Sequence, residues 1–163
     1  CIALRKVVNS DPSRVQQVFD IVSKCKKAIV FYNYDYELDI LRSIGDELSK
    51  TLDGFEYAEW NGHMHQDIPQ TSSWMYLVQC NAGSDGWNCT KTDTIIFYSQ
   101  NYSYKMMTQA AGRIDRLNTP YRDLYYYHLK SRASIDLAIS RALAQKKQFN
   151  EQRFVLKTER TAI

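Results

Sequence analysis

The fold is decided by residues 28–48, which read AIVFYNYDYELDILRSIGDEL. Residues 28–32 are an apolar run rich in β-branched and aromatic side chains, which is typical of a strand buried on both faces of a sheet. Asp35 follows as a candidate N-cap for a helix that ends before Gly54. The apolar side chains of that helix recur at helical spacing and are Leu38, Leu41, Ile44 and Leu48. This stretch therefore predicts a strand followed by a helix, the repeating unit of an α/β sheet.

The same alternation extends along the rest of the chain. Asp11 followed by Pro12 indicates the start of an earlier helix. Further strand patterns lie at residues 55–60, 75–80, 94–98 and 124–128, and further helix patterns at residues 104–114 and 131–149. Residues 61–73 contain Gly62 and Pro69 and predict a loop. The alternation predicts a three-layer α/β domain with a largely parallel central sheet, whose ligand sites lie at the carboxyl ends of the strands.

Length and composition predict one domain. The 163 residues are 44% hydrophobic, which suits a single core, and we expect residues 1–150 to form the domain and residues 151–163 a tail or linker. The net charge of +3 permits a nucleic-acid partner without requiring one. No apolar run is long enough to span a membrane and none resembles a signal peptide, so we expect an intracellular protein without a membrane partner. Because the chain begins at Cys1, we interpret it as a piece of a longer polypeptide, monomeric by itself.

The cysteines and histidines predict no metal site. The four cysteines form no CxxC pair and do not cluster with the three histidines, which argues against a structural zinc site and against a disulfide framework. His63 and His65 lie in the predicted loop without a third ligand nearby. We interpret them as surface residues.

Two arginines stand out in residues 109–116, which read QAAGRIDR. If the segment is helical, Arg113 and Arg116 lie on one face, where two guanidinium groups can converge on a polyanion such as a triphosphate. The spacing alone is equally consistent with a solvated basic face.

A glycine-containing loop, NAGSDGWN, occupies residues 81–88 at the end of a predicted strand. Its small residues let backbone N–H groups approach a phosphate or a sugar. An ordinary turn is the alternative interpretation.

The order of these features resembles the second motor lobe of superfamily-two helicases and translocases, closest to the Swi/Snf-like and phage branches. Residues 82–88 match the family's motif V, and residues 109–116 match motif VI, of form QxxGRxxR. Residues 28–34 resemble motif IV, and residues 134–136 resemble the start of the family's last helix. The resemblance covers residues 25–149 and implies a RecA-like fold.

The resemblance implies a role for each matching nucleotide-site residue. Arg113 and Arg116 would be arginine fingers that reach the γ-phosphate of ATP bound on a partner lobe. The other cofactor-binding positions it implies are Asp85, Gly86, Asn88 and Gln109. Asn88 takes the position that contacts the ribose, and Gly86 lets the backbone come close.

The resemblance also implies contacts with the nucleic-acid backbone from the loops that follow the strands. The candidates are Asn33, Tyr34, Asn81 and Trp87. Such contacts position the protein without reading sequence. Trp87 either stacks on a base or packs under the motif V loop as part of the core.

The sequence departs from the family pattern in two places. Gln79 and Cys80 stand where many members carry Ser or Thr at the start of motif V, and the helix that usually follows Gly62 is shortened to a loop. The chain has neither a GxxxxGK[ST] loop nor an acidic DExx box. ATP and Mg²⁺ are therefore expected to be held by an N-terminal lobe, and this fragment alone is expected to be inactive.

Together these observations predict the C-terminal lobe of an ATP-dependent DNA helicase or translocase of phage type, working in the cytoplasm of a bacterial or phage-infected cell. The alternative is a non-catalytic α/β module that binds nucleic acid or an acidic protein. A complete phosphate-handling enzyme such as a glycosyltransferase is disfavoured, because no carboxylate pair or metal-ligand set accompanies the glycines.

Overall fold

The computed structural model describes residues 11–82, 89–100 and 103–129, together with residues 139, 141 and 143. Its helices are α1 (Pro12–Cys25), α2 (Asp35–Thr51) and α3 (Tyr104–Ala111). Its strands are β1 (Lys27–Tyr32), β2 (Phe55–Trp60), β3 (Ser73–Gln79), β4 (Thr94–Phe97) and β5 (Tyr125–His128). Each strand lies within about two residues of its predicted position. No helix among these residues is both long and apolar enough to cross a membrane.

The strands form one sheet in the order β2-β3-β1-β4-β5. All four pairings are parallel. In the centre, Ile29 of β1 lies between Tyr76 of β3 and Ile95 of β4, and all three side chains are buried. A central strand covered on both faces explains why residues 28–32 read as a continuous apolar run. The predicted three-layer fold with a parallel sheet is confirmed.

Helices cover both faces of this sheet. Val18 and Val22 of α1 pack with Leu41 and Leu48 of α2 in one core cluster. Met107 and Ala110 of α3 belong to the second cluster, on the opposite face. Helix α1 begins as predicted, with the Asp11 carboxylate accepting the Ser13 N–H at 2.8 Å. Helix α2 differs slightly, because Tyr34 rather than Asp35 is its N-cap.

Helix α3 is shorter than predicted, and this changes the geometry of the arginine pair. It ends at Ala111, with Gly112 as C-cap. Glycine is a poor helix former, and Ile114 is drawn into the core, where it is fully buried. The Arg113 carbonyl then accepts a hydrogen bond from the Cys89 N–H instead of continuing the helix. The prediction that the two arginines share one helical face is therefore wrong.

The loop at residues 61–73 contains no helix, as predicted, but its first part is folded back on β2. The Asn61 side-chain oxygen accepts the N–H groups of His63 and Met64 at 2.9 and 3.0 Å. His65 forms an isolated antiparallel bridge with Trp60, and their rings stack at 4.3 Å. The predicted helix at residues 131–149 lies outside the described residues except at three positions, of which Ile139 is fully buried. The predicted tail, residues 151–163, lies entirely outside them.

Candidate functional site

The carboxyl edge of the sheet collects polar residues that follow three of its strands. Asn33 follows β1, Asn81 follows β3 and Ser99 follows β4. The Asn33 amide donates to the Ser99 hydroxyl at 2.8 Å and to the Ser99 carbonyl at 3.3 Å. Asn81 is exposed. The structure therefore brings the predicted residue Asn33 into a bond that joins two strand ends, and leaves Asn81 facing solvent.

A buried carboxylate shapes the loop after β1. Glu37, in the first turn of α2, is 0% exposed. One of its oxygens accepts the backbone N–H groups of Asn33 and Tyr34, both at 2.9 Å. Tyr34 is half-buried and stacks on Tyr36, with ring centroids 5.5 Å apart. Because both N–H groups donate to Glu37, the carboxylate fixes the backbone conformation of this loop.

A buried arginine supports the end of β4 in the same way. Arg14 of α1 is 4% exposed and donates to the Tyr98 carbonyl at 2.9 Å. Its guanidinium also lies 5.8 Å from the centre of the Tyr98 ring. Burial raises the pKa of Tyr98, and burial likewise raises the pKa of Tyr32, at the end of β1, to about 12. Both phenols are therefore neutral at physiological pH.

The start of the glycine loop is tied to β2. The Trp60 indole N–H donates to the Ala82 carbonyl at 3.2 Å. The end of β2 is fixed in turn by Glu59, which accepts two hydrogen bonds from Arg42 of α2 at 2.7 and 2.8 Å. Asn61 donates to the same Glu59 carboxylate at 3.4 Å. This part of the carboxyl edge is thus supported by polar side chains of α2, of β2 and of the loop that follows β2.

The arginine turn, residues 111–116, lies apart from this edge. Arg113 is buried at 8% exposure, whereas Arg116 is exposed. The Arg113 N–H donates to the Ala110 carbonyl at 3.2 Å and the Arg116 N–H to the Ile114 carbonyl at 3.0 Å, which describes two successive tight turns. The two arginines therefore differ in how deeply they are buried.

Two hydrogen bonds from other elements hold the arginine turn. The Cys89 N–H donates to the Arg113 carbonyl at 3.1 Å, and the Tyr126 hydroxyl donates to the Ala111 carbonyl at 3.2 Å. Cys89 directly follows the motif V segment, five residues before β4 begins. Motif VI therefore meets the end of motif V on the side of the sheet's amino ends. Among the described residues, the predicted arginines therefore lie apart from the predicted nucleic-acid residues Asn33, Tyr34 and Asn81.

The remaining predicted residues are Asp85, Gly86, Trp87, Asn88 and Gln109. Asp85, Gly86, Trp87 and Asn88 lie outside the described residues. Gln109 is exposed on α3, two residues before the arginine turn.

Sequence reasoning missed Arg14, Glu37, Ser99 and Tyr126, which hold these segments in place. Glu37 alone carried a usable signal, because a Glu three residues after an N-cap is typical of a capping box. The others make contacts across long stretches of sequence, which no local pattern indicates.

The described part of the chain offers little support for a metal site or for a reactive thiol. No group of three or more His, Cys, Asp or Glu side chains there is arranged to hold a metal ion. Cys25, Cys80 and Cys89, the cysteines in that part, form no disulfide, and burial raises the pKa of Cys25 to about 11. A cavity of about 340 Å³ lies between α1 and the start of β5, away from both groups of predicted site residues.

Residues 13–118 match the family model described as the helicase conserved C-terminal domain. The chain belongs to this family. The match runs from α1 through the arginine turn, and so includes the segments that carry motifs IV, V and VI. The helicase C-terminal domain predicted from the resemblance is confirmed at this level.

Two relatives of this helicase C-terminal domain come from a fungus and from an animal. It is 24% identical to Helicase swr-1 of Neurospora crassa over 160 residues, 90% of this chain and 8% of the relative. It is 30% identical to the human Lymphoid-specific helicase over 126 residues, 74% of this chain and 15% of the relative. The chain therefore spans only a small part of the relatives it matches.

The fold also matches a solved structure, described as the C-terminal part of the Fun30 ATPase domain. The TM-score is 0.66 at 18% sequence identity, and the match covers 85% of this chain and 46% of that one. At this identity the likeness shows the fold.

These relatives correct two predictions. They support the Swi/Snf-like part of the resemblance and give no support to the phage type. The predicted location, the cytoplasm of a bacterial or phage-infected cell, is wrong, because the relatives come from plants, fungi and animals and one, from Pyricularia oryzae, is named Chromatin-remodeling ATPase INO80.

Proposed function

We propose that this chain is the C-terminal motor lobe of an ATP-dependent DNA helicase or translocase, which completes an ATP site held mainly by an N-terminal lobe. The observation that carries the proposal is the family match over residues 13–118. The names of the relatives, which include helicases and a remodelling ATPase, support it.

The arginine turn is the part of the lobe that we assign to ATP hydrolysis. Because Arg116 is exposed to solvent, its guanidinium can extend towards a phosphate on a facing lobe. Arg113 is buried, and it acts from within the same turn. Phosphoryl transfer depends on charge stabilisation, and an arginine finger contributes about 10³ to 10⁵ in rate.

The nucleotide contacts extend, in this proposal, to the segment that precedes the arginine turn. Asn88 binds the ribose, with Gly86 giving close backbone approach and Asp85 accepting a hydrogen bond, while Gln109 lies at the same interface. The Cys89-to-Arg113 backbone bond supports this arrangement, because Cys89 directly follows motif V and Arg113 belongs to motif VI. Mg²⁺ bound with ATP on the N-terminal lobe would neutralise phosphate charge.

The carboxyl edge is the surface that we assign to nucleic acid. Asn81 is exposed there and can donate to a phosphate oxygen, and we assign Trp87 to the same contact with nucleic acid. Tyr34 offers the edge of a half-buried ring. Asn33 holds the Ser99 loop through its amide and contributes by fixing the shape of the surface.

Two separate surfaces suit a motor that couples two events. ATP binding closes the two lobes on the arginine turn, hydrolysis releases them, and the carboxyl edge moves along the nucleic acid with each cycle. In this proposal each event has its own residues.

The test is DNA-stimulated ATPase activity of the natural polypeptide that carries both lobes. We expect Arg116→Ala and Arg113→Ala each to lower kcat by about 10³-fold or more. Arg122→Ala, at a second exposed arginine six residues beyond the turn, is the matched control and keeps wild-type kcat. Full activity in both finger variants would leave the non-catalytic binding module as the better account.

A further inference from the structure

We propose that Tyr126 is a positioning residue for ATP hydrolysis: its hydroxyl sets the place of the arginine turn on the sheet. This inference rests on the proposed function of Arg113 and Arg116 and adds a residue that touches neither nucleotide nor nucleic acid. Its action passes through the backbone of the turn.

The contact lies where α3 ends. Ala111 is the last residue of α3, and the carbonyls of a final helical turn have no N–H partner within the helix. The Tyr126 hydroxyl supplies a donor to the Ala111 carbonyl at 3.2 Å. Two residues later, the chain reaches Arg113. The bond therefore fixes the point from which the turn departs.

The anchor on the other side of this bond is rigid. Tyr126 pairs in register with Ile95 of β4, which is fully buried. The Tyr126 ring is half-buried and packs against the same core cluster as Ala111 and Ile114. The hydrogen bond from this ring therefore ties the Ala111 carbonyl to the sheet.

The ring also faces the turn itself. Burial raises the pKa of Tyr126, and the carboxylate of Asp115, which lies between the two arginines, raises it further. The hydroxyl therefore keeps its proton at neutral pH and remains a donor. The hydrogen bond from the Tyr126 hydroxyl to the Ala111 carbonyl places the phenol beside the segment that carries Arg113 and Arg116.

Two neighbouring tyrosines provide matched controls. The Tyr121 hydroxyl donates to the Lys91 carbonyl at 3.0 Å, an equivalent phenol-to-backbone bond that does not reach the turn. Tyr125 lies on the same strand and is 48% exposed. Phenylalanine at any of these positions removes one oxygen and keeps the ring.

The experiment measures steady-state ATPase activity of Tyr126→Phe in the two-lobe polypeptide at saturating DNA. We expect kcat to fall about 3- to 10-fold, the equivalent of one hydrogen bond, with the KM for ATP and the affinity for DNA within twofold of wild type. Tyr121→Phe and Tyr125→Phe keep wild-type kcat. An unchanged kcat in Tyr126→Phe overturns the inference, as does loss of the folded state by circular dichroism, which would make the tyrosine purely structural.

A double-mutant comparison separates positioning from general damage. If Tyr126 acts through the turn, adding Tyr126→Phe to Arg116→Lys lowers the single-turnover rate much less than it lowers the wild-type rate. An equal, multiplicative loss in both backgrounds contradicts the inference. If Arg116→Ala itself retains wild-type activity, the proposed function fails, whereas an inactive Arg116→Ala beside a fully active Tyr126→Phe overturns this inference alone.

Discussion

The carboxyl edge and the arginine turn are held in contrasting ways. At the edge, two buried charged side chains, Glu37 and Arg14, bond to the backbone of the loops that follow β1 and β4. At the turn, the charged groups are the residues being held, and the bonds to its backbone come from a backbone N–H and a neutral phenol. Because a buried polar group is costly to leave unpaired, changes behind the edge should cost stability, whereas changes at the turn should cost activity.

The largest stability effect is expected at Glu37. Glu37→Ala leaves two backbone N–H groups without their acceptor, and we expect a loss of about 3 kcal/mol in the free energy of unfolding. Urea denaturation measures it. Glu47→Ala, at an exposed position on the same helix, should cost less than about 0.5 kcal/mol. Equal losses in the free energy of unfolding for the two variants would contradict the claim that buried charged side chains hold the edge in place.

A somewhat smaller effect is expected at Arg14. Arg14→Met keeps much of the side-chain volume and removes the bond to the Tyr98 carbonyl, so we expect a loss of about 2 kcal/mol. The exposed neighbour Gln17 provides the control as Gln17→Met. A neutral result at Arg14 would show that packing alone supports the end of β4.

The dependence of stability on alkaline pH tests the same edge, because Tyr32 lies at the end of β1. Its folded pKa of about 12, raised chiefly by burial, exceeds the unfolded value, so its contribution to stability is complete below about pH 10 and is lost as the pH rises towards 12. Between these values Tyr32 should lower the free energy of unfolding by about 1.4 kcal/mol per pH unit. The slope of stability against pH should be shallower by that amount in Tyr32→Phe, and identical slopes would contradict the burial of this phenol.

The smallest stability effect is expected at the turn. Tyr126→Phe should change the free energy of unfolding by less than about 1 kcal/mol, because it removes one neutral hydrogen bond. Thermal unfolding, compared with Tyr121→Phe, measures it. A loss as large as that of Glu37→Ala would erase the contrast between the two regions.

Local patterns were enough to predict most of the fold. The apolar run at residues 28–32 predicted a central strand, and Asp11 with Pro12 predicted the start of α1, because burial on two faces and capping both leave signatures in neighbouring residues. The end of α3 was missed because a buried Ile114 and a bond from Cys89, a residue distant in sequence, decide it.

The candidate site was less predictable than the fold. Motif spacing singled out the arginines and the strand-end asparagines as candidates, but it placed the arginines on one helical face. Their different depths arise from tertiary packing of Ile114 and from the support of Tyr126, and neither contact is encoded by spacing. The same holds for Ser99, whose partnership with Asn33 crosses 66 positions of sequence.

The central claim is that the two regions do separate work, and one paired measurement tests it most directly. DNA affinity and ATPase kcat are measured for Arg116→Ala and Asn81→Ala in the polypeptide with both lobes. We expect Arg116→Ala to lower kcat by about 10³-fold with DNA affinity kept, and Asn81→Ala to weaken DNA binding several-fold, by about 1 kcal/mol, with kcat kept at saturating DNA. Wild-type ATPase activity in Arg116→Ala, or parallel losses of both properties in both variants, would contradict the account.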